Sequence, residues 1–159
     1  MTLALGIDPG TATTGYGLVR LASDGALETV GFGAIVTPPH TPAHERLLLL
    51  HQDLSELIAR FHPDTYAVEK LFFQRNVSTA MAVGQARGVV LLAIAQAGGE
   101  VAEYTPNEVK QAVAGYGSAD KRQVQEMVRT LLGLAELPRP DDAADALAIA
   151  ITHLHTQRY

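Results

Sequence analysis

The chain has 159 residues, 47% of them hydrophobic, no cysteine and a net charge of −5. This length and apolar content argue for a single domain over residues 1–159 with a substantial core, and against disorder. The lack of thiols excludes a disulfide framework and a thiolate metal site, and it fits a cytoplasmic location.

The opening segment, MTLALGIDPG, predicts a strand and a turn rather than a charged-then-apolar leader. Strands are expected at residues 3–8, 14–21 and 26–37, joined by Asp-Pro-Gly-Thr and Ser-Asp-Gly turn signals. Links this short between successive strands imply an antiparallel meander. Pro38 and Pro39 end it. A helix follows at residues 43–61, with Leu47, Leu50, Leu54, Leu57 and Ile58 on one stripe. Residues 65–69 form a short strand, Asn76 to Gln96 a long helix rich in small residues, and residues 100–104 a fifth strand.

Thr105, Pro106 and Glu108 then announce a helix as N-cap, first-turn proline and capping-box partner. It ends near Ala114, and Ser118 is the expected cap of another that ends near Leu132. Pro138 and Pro140 bound a loop before the last helix, DDAADALAIAITHLH. The pattern predicts an α/β fold, a mixed sheet with helices on its faces. The longest apolar run, residues 88–95, is too short to span a bilayer, so no membrane is expected.

Four acids stand where carboxylates are out of place. Asp8 closes the apolar run at residues 3–7, Glu69 closes Tyr66-Ala67-Val68, and Asp142 and Asp145 open a long apolar helix. Acidic residues are depleted in strands and are seldom buried without a partner or a metal. If these three elements meet, their carboxylates form a divalent-cation site. Mg²⁺ takes such oxygen ligands, and two ions a few ångströms apart are suited to breaking phosphodiesters.

Each acid also has a plainer explanation. Asp8 could cap its own turn. Asp142 and Asp145 lie three apart on one helical face and could complement the helix dipole, although Asp141 alone could cap that helix. Glu69 could belong to an edge strand and pair with Lys70, except that neighbours in a strand point to opposite faces. Three elements that each end or begin in acid make the joint pattern more specific than its parts.

Other residues suit a nucleic-acid partner. Phe72 and Phe73 stand beside Arg75 ahead of the long helix. Two adjacent Phe do not both fit one core, and an exposed ring beside Arg suits stacking on or wedging between bases. Lys110, Lys121 and Arg122 are expected at or near helix starts, where backbone N–H groups also attract phosphate. From Lys70 to Arg129 basic residues outnumber acidic ones seven to five, and two bound Mg²⁺ would offset most of the net negative charge. The small residues Ala80, Ala82, Gly84, Ala86 and Gly88 suit close packing, on the sheet or across a two-fold axis. The six histidines receive no role, and His40, His44, His51 and His62 are expected at the surface.

The segments GIDPGTATTGYG, AVEKLFFQRN, GQARG, VKQAVAGYGSADKRQVQ and DAADALAIAITH occur in this order through nearly the whole chain. Together they resemble the RuvC family of bacterial Holliday-junction resolvases. The resemblance implies a ribonuclease H-like fold, with three antiparallel strands and then two parallel ones, flanked by helices on both faces. It implies a crossover-junction endodeoxyribonuclease that nicks two strands of four-way junction DNA symmetrically and leaves 5′-phosphate and 3′-hydroxyl ends. The catalytic and metal-binding acids fall on Asp8, Glu69, Asp142 and Asp145, with two Mg²⁺ per site and Mn²⁺ as a substitute. The family's stacking aromatic falls on Phe72, which Phe73 doubles here, and its important lysines fall on Lys110 and Lys121. A homodimer through the Asn76 to Gln96 helix and a RuvA–RuvB branch-migration partner are also implied. Some members carry a basic tail beyond the last helix, whereas this sequence runs to Tyr159.

Three rivals remain open. An actin- or sugar-kinase-like ATPase shares the Gly-Ile-Asp-x-Gly loop, but its clamp needs two such domains. A catalytically idle junction-binding protein would keep the acids as vestiges. A nuclease of the same fold could act on RNA.

Overall fold

The computed structural model describes residues 1–70 and 77–157. Its strands are β1 (Thr2–Asp8), β2 (Thr13–Leu21), β3 (Leu27–Val36), β4 (Thr65–Glu69) and β5 (Val101–Tyr104). Its helices are α1 (Ala43–Phe61), α2 (Val77–Gln96), α3 (Pro106–Ala114), α4 (Lys121–Leu132) and α5 (Asp141–Thr156). The strands form one sheet in the order β3-β2-β1-β4-β5. β1, β2 and β3 are antiparallel, while β4 and β5 run parallel to β1. This is the mixed ribonuclease H-like sheet that the turn signals and the resemblance predict.

Strand alternation divides the interior into two layers. Leu3, Leu5 and Ile7 of β1, with Tyr66 and Val68 of β4, enter a core closed by α1 and α2. Leu50, Leu54 and Ile58 supply the α1 side of it, as the predicted stripe requires. Ala4 and Ala67 face the opposite way, into a core closed by α3, α4 and α5.

Two helix starts differ in detail from expectation. Asp120, not Ser118, caps α4: its carboxylate accepts from Gln123 N at 2.8 Å, and Gln123 Oε1 accepts from Asp120 N at 2.7 Å. Ala119 between them is buried, so the chain turns into the helix two residues later than the serine suggests. Pro140 is the N-cap of α5 and offers no side-chain acceptor, which leaves Asp141 inside the helix. The box at Thr105 and Glu108 forms as predicted.

One histidine is structural. His153 is buried on α5, its Nδ1 2.8 Å from the Tyr104 hydroxyl and its Nε2 2.5 Å from Thr65 Oγ1. A neutral ring offers one donor and one acceptor, so this pairing ties α5 to β4 and β5. Burial depresses its pKa below the ordinary 6.5. Of the four histidines expected at the surface, His51 is half-buried and sits 2.6 Å from Gln96 Oε1.

α2 is the one described helix long and apolar enough to cross a membrane, although its longest unbroken apolar run is short. Ala86, Val90, Ala93 and Ile94 pack it on the sheet, and Arg87 pairs with Glu103 of β5. Its other side leaves Val77, Met81 and Leu92 more than half exposed.

α5 lies unusually close to the sheet. A Cβ on Gly15 would overlap the Asp142 carbonyl, and one on Gly6 the Ala146 carbonyl. A Cβ on Gly17 would stand 2.8 Å from Leu147 N. Ala143, Ala144, Ala146, Ala148 and Ala150 give α5 little bulk of its own, and all are buried.

We expect Gly6→Ala to lower unfolding free energy by at least the ~1–3 kcal/mol typical of overpacking. Gly31→Ala is the control, because its Cβ would meet only Leu18 Cδ1 at 3.9 Å. Denaturant melts of the three proteins decide this: equal losses for the two variants would remove the argument from close approach.

Candidate metal centre

The acids arrive from three elements. In β1 the alternation that buries Ile7 under α1 and α2 turns Asp8 toward α5, and in β4 the alternation that buries Val68 does the same for Glu69. β1 and β4 are parallel neighbours with Ile7 opposite Val68, so the two acids stand side by side at the carboxyl ends of adjacent strands. β4 lies between β1 and β5, so Glu69 is not on an edge strand. Their side chains hydrogen-bond each other.

α5 supplies the rest. One carboxylate oxygen each from Asp8, Asp142 and Asp145 lie within 4.8 Å of one another. Asp8 does not cap its turn. That turn is closed by Thr14, whose hydroxyl accepts from Gly10 N at 3.2 Å and donates to Gly10 O at 2.6 Å. The Asp8 carboxylate is thereby left for the cluster.

Crowding these groups disfavours their ionised forms. Burial, followed by the charges of Glu69 and Asp145 and the hydrogen bond to Glu69, pushes Asp8 from 3.8 up to about 9; Asp142 adds to this. Burial also raises Glu69 and Asp145, against the pull of the Asp8 hydrogen bond and of Lys121. At neutral pH Asp8 therefore keeps a proton and donates it to Glu69. A divalent cation would replace that proton and relieve the repulsion, and these hard oxygen donors suit Mg²⁺.

Lys121 faces the cluster from the first residue of α4. Its Nζ is 3.5 Å from Asp141 Oδ2 and 3.8 Å from Asp145 Oδ2. Burial works against its charge, but Asp145, Asp141 and Asp142 outweigh it and raise its pKa. Asp141 also accepts from Gln125 Nε2 at 3.3 Å, so this acid joins α4 to α5. A cleft of about 290 Å³ opens beside the cluster, lined by Glu69, Lys110, Lys121 and Asp145 over a floor of Val109, Val124 and Ile149. It has room for a phosphodiester group between two ammonium groups and the acids.

The structure thus brings together the four predicted acids, Lys110 and Lys121. Lys110 lies in the middle of α3 rather than at its start. Arg122 does not line the cleft; it pairs with Glu126 along the exposed side of α4 at 3.2 Å. Phe72, Phe73 and Arg75 lie outside the described residues. Sequence reasoning missed Thr14 as the closure of the Asp8 turn and Gly15 as the seat of Asp142. The alternation of Gly6, Gly15 and Gly17 on paired strands was the available signal for the latter.

Comparison with known proteins agrees with this geometry. The family described as "Crossover junction endodeoxyribonuclease RuvC" matches residues 4–153. A protein of that name from Chloroflexus aggregans is 65% identical over 153 residues, which are 96% of this chain and 93% of the relative. Another, from Desulfitobacterium hafniense, is 60% identical over 154 residues, covering 97% and 93%. The solved structure of Thermus thermophilus RuvC in complex with a Holliday junction substrate superposes with a TM-score of 0.91 at 44% identity, over 96% of this chain and 93% of the other.

The raised acids set the pH dependence of the metal-free fold. Asp8 holds its proton in the folded chain up to about pH 9 but releases it near 3.8 when unfolded. The folded state then binds more protons across that window, so stability falls as pH rises through it. The slope reaches about 1.4 kcal/mol per pH unit for one retained proton. His153 has the opposite sign, since its lowered pKa removes stability as pH falls below 6.5. Denaturant melts in chelator from pH 7 to 9 should therefore lose stability with rising pH, and Asp8→Asn should flatten the loss. Saturating Mg²⁺ should abolish it. A flat parent profile in chelator would show that the cluster is not protonated.

Proposed function

The chain belongs to the RuvC family of crossover junction endodeoxyribonucleases, and on that premise we propose that it resolves four-way DNA junctions by paired, symmetric nicks. The observation that carries this is the convergence of Asp8, Glu69, Asp142 and Asp145 beside a cleft rimmed by Lys110 and Lys121. A metal-dependent nuclease needs that donor set, and phosphate needs those cations. The products would be 5′-phosphate and 3′-hydroxyl ends that a ligase can seal.

The residues fit two Mg²⁺, with Mn²⁺ as a substitute. Asp8, Glu69 and the helix acids Asp142 and Asp145 would hold them. When bound, such ions polarise the scissile phosphate and generate hydroxide from water at neutral pH. The chain's own part is to hold the ligands at fixed separation and to place the phosphate. Lys121, anchored by Asp141, would meet the anionic group without swinging free, and Lys110 would hold the strand beside it. Phe72 and Phe73, with Arg75, would contact and unstack bases near the cut, and Arg122 would touch the backbone farther out.

Two equivalent strands call for two sites related by a two-fold axis. α2 suits the contact. Val77 is 67%, Met81 61% and Leu92 52% exposed on one side of it, and among the described residues nothing lies within 4 Å of a Cβ built on Gly84 or Gly88. The face is apolar with gaps a second copy can fill. The family reading also gives a cytoplasmic enzyme that works with the RuvA–RuvB branch-migration complex.

Asp8→Asn should abolish nicking of a four-way junction while the gel-shift affinity in Ca²⁺ or chelator is kept, because phosphate contacts remain when a ligand is lost. Parallel loss of both would point to a binding rather than a catalytic role. Lys110→Ala and Lys121→Ala should weaken junction binding and reduce the salt slope of log K by about one per lost phosphate contact. Unchanged slopes for both would make them ordinary surface lysines. The same assay on duplex and single-stranded DNA and on RNA distinguishes the junction reading from its relatives.

A further inference from the structure

The turn after Asp8 is held by more than the two strands it joins. Thr14 closes it from within. Just past the end of β3, Thr37 donates its hydroxyl to the Thr11 carbonyl at 2.7 Å and its N–H to the Ala12 carbonyl at 3.0 Å. Arg46, in α1, donates from Nε to Thr37 Oγ1 at 2.8 Å and from Nη2 to the Thr37 carbonyl at 3.2 Å. Finally, the Thr11 hydroxyl leaves the sheet and donates to the carbonyl of Ala82 in α2 at 2.9 Å. A helical carbonyl has a second lone pair free for such a bond. The result is a continuous path from α1 through Thr37 and Thr11 to α2, running through the turn that carries Asp8.

Beside the apolar packing of β1 on α1 and α2, these contacts add a polar tie between those helices and the turn after Asp8. α1 and α2 pack on the face of the sheet opposite α5 and, among the described residues, give no carboxylate to the acid cluster. Ala82 lies on α2 between the exposed Met81 and Gly84. We infer that Thr11 is a positioning residue: its bond to the Ala82 carbonyl fixes the Asp8 turn to α2, so the helix on the far face of the sheet sets where the Asp8 carboxylate stands. This rests on reading the acid cluster as a divalent-metal site. A threonine that merely stabilises its turn would affect melting and nothing else.

Thr11→Val keeps the shape and removes the hydroxyl, while Thr11→Ser keeps the hydroxyl. The readouts are calorimetric titration with Mg²⁺ in the absence of DNA, the Mg²⁺ midpoint of junction nicking, and junction gel shift in chelator. For Thr11→Val both Mg²⁺ midpoints should rise about fivefold, the factor one net hydrogen bond provides. Junction affinity in chelator should stay at the parent's value, and Thr11→Ser should titrate like the parent. A Thr11→Val protein with the parent's midpoints overturns the coupling even if it melts lower, as does a Thr11→Ser protein that behaves like the valine variant. Should Thr11→Val fail to fold, Arg46→Gln decides, with a rise of about twofold expected from the weakened Thr37 contact and no rise overturning the inference. A parent that binds no Mg²⁺ overturns the metal reading and this one together, whereas a normal parent with an unshifted variant overturns the coupling alone.

Discussion

The near-contact between the α5 backbone and the sheet fixes everything at the site. Hydrogen-bonded strands stand about 4.8 Å apart, so Asp8 and Glu69 would be neighbours in any parallel pair of this register. A helix on a sheet ordinarily sits about 10 Å away, too far for its carboxylates to share an ion with those of the strands. Gly6, Gly15 and Gly17 remove the side chains that would impose that distance, and the alanines of α5 complete the approach. The acids are ordinary; what is unusual is the floor beneath them.

That proximity gives the metal-free protein an electrostatic burden. Asp8, Glu69 and Asp145 are all raised, with burial as the leading cause. The buried apolar contacts of α5, from Ala143 to Leu154, hold the first turn against this repulsion, helped by the bonds of His153 at its far end. Lys121 offsets part of the charge without blocking the cleft. A site strained in this way is primed to exchange protons for divalent cations, which is the property a hydrolytic centre needs.

The elements were legible in the sequence because each is bounded by chemistry with a local cause, such as the Thr105 capping box or the glycine turns. The convergence of Asp8, Glu69, Asp142 and Asp145 was legible because each sits at an element end where a buried carboxylate needs a reason. What escaped depends on tertiary distance. The cap of α4 is the exception, because Asp120 and Gln123 have the local spacing of a capping box and Ser118 does not outrank them. Nothing local tells His153 from the surface histidines, because its partners Thr65 and Tyr104 are far away in sequence. The part Thr11 plays depends on a carbonyl 71 residues away. Lys121 looked like a phosphate ligand and is also an anchor for Asp141, a dual role visible only once α4 and α5 are side by side.

The acids are set far apart along the chain, and synthesis reaches them at different times. Asp8 closes the first strand, while Asp142 and Asp145 open the last helix, after every strand of the sheet. α5 is also the central element of its core, so the sheet has no finished surface on that side until α5 docks. A nascent chain therefore carries half a site and an uncovered floor through most of its translation. Completion of the acid cluster and completion of this core both wait for α5.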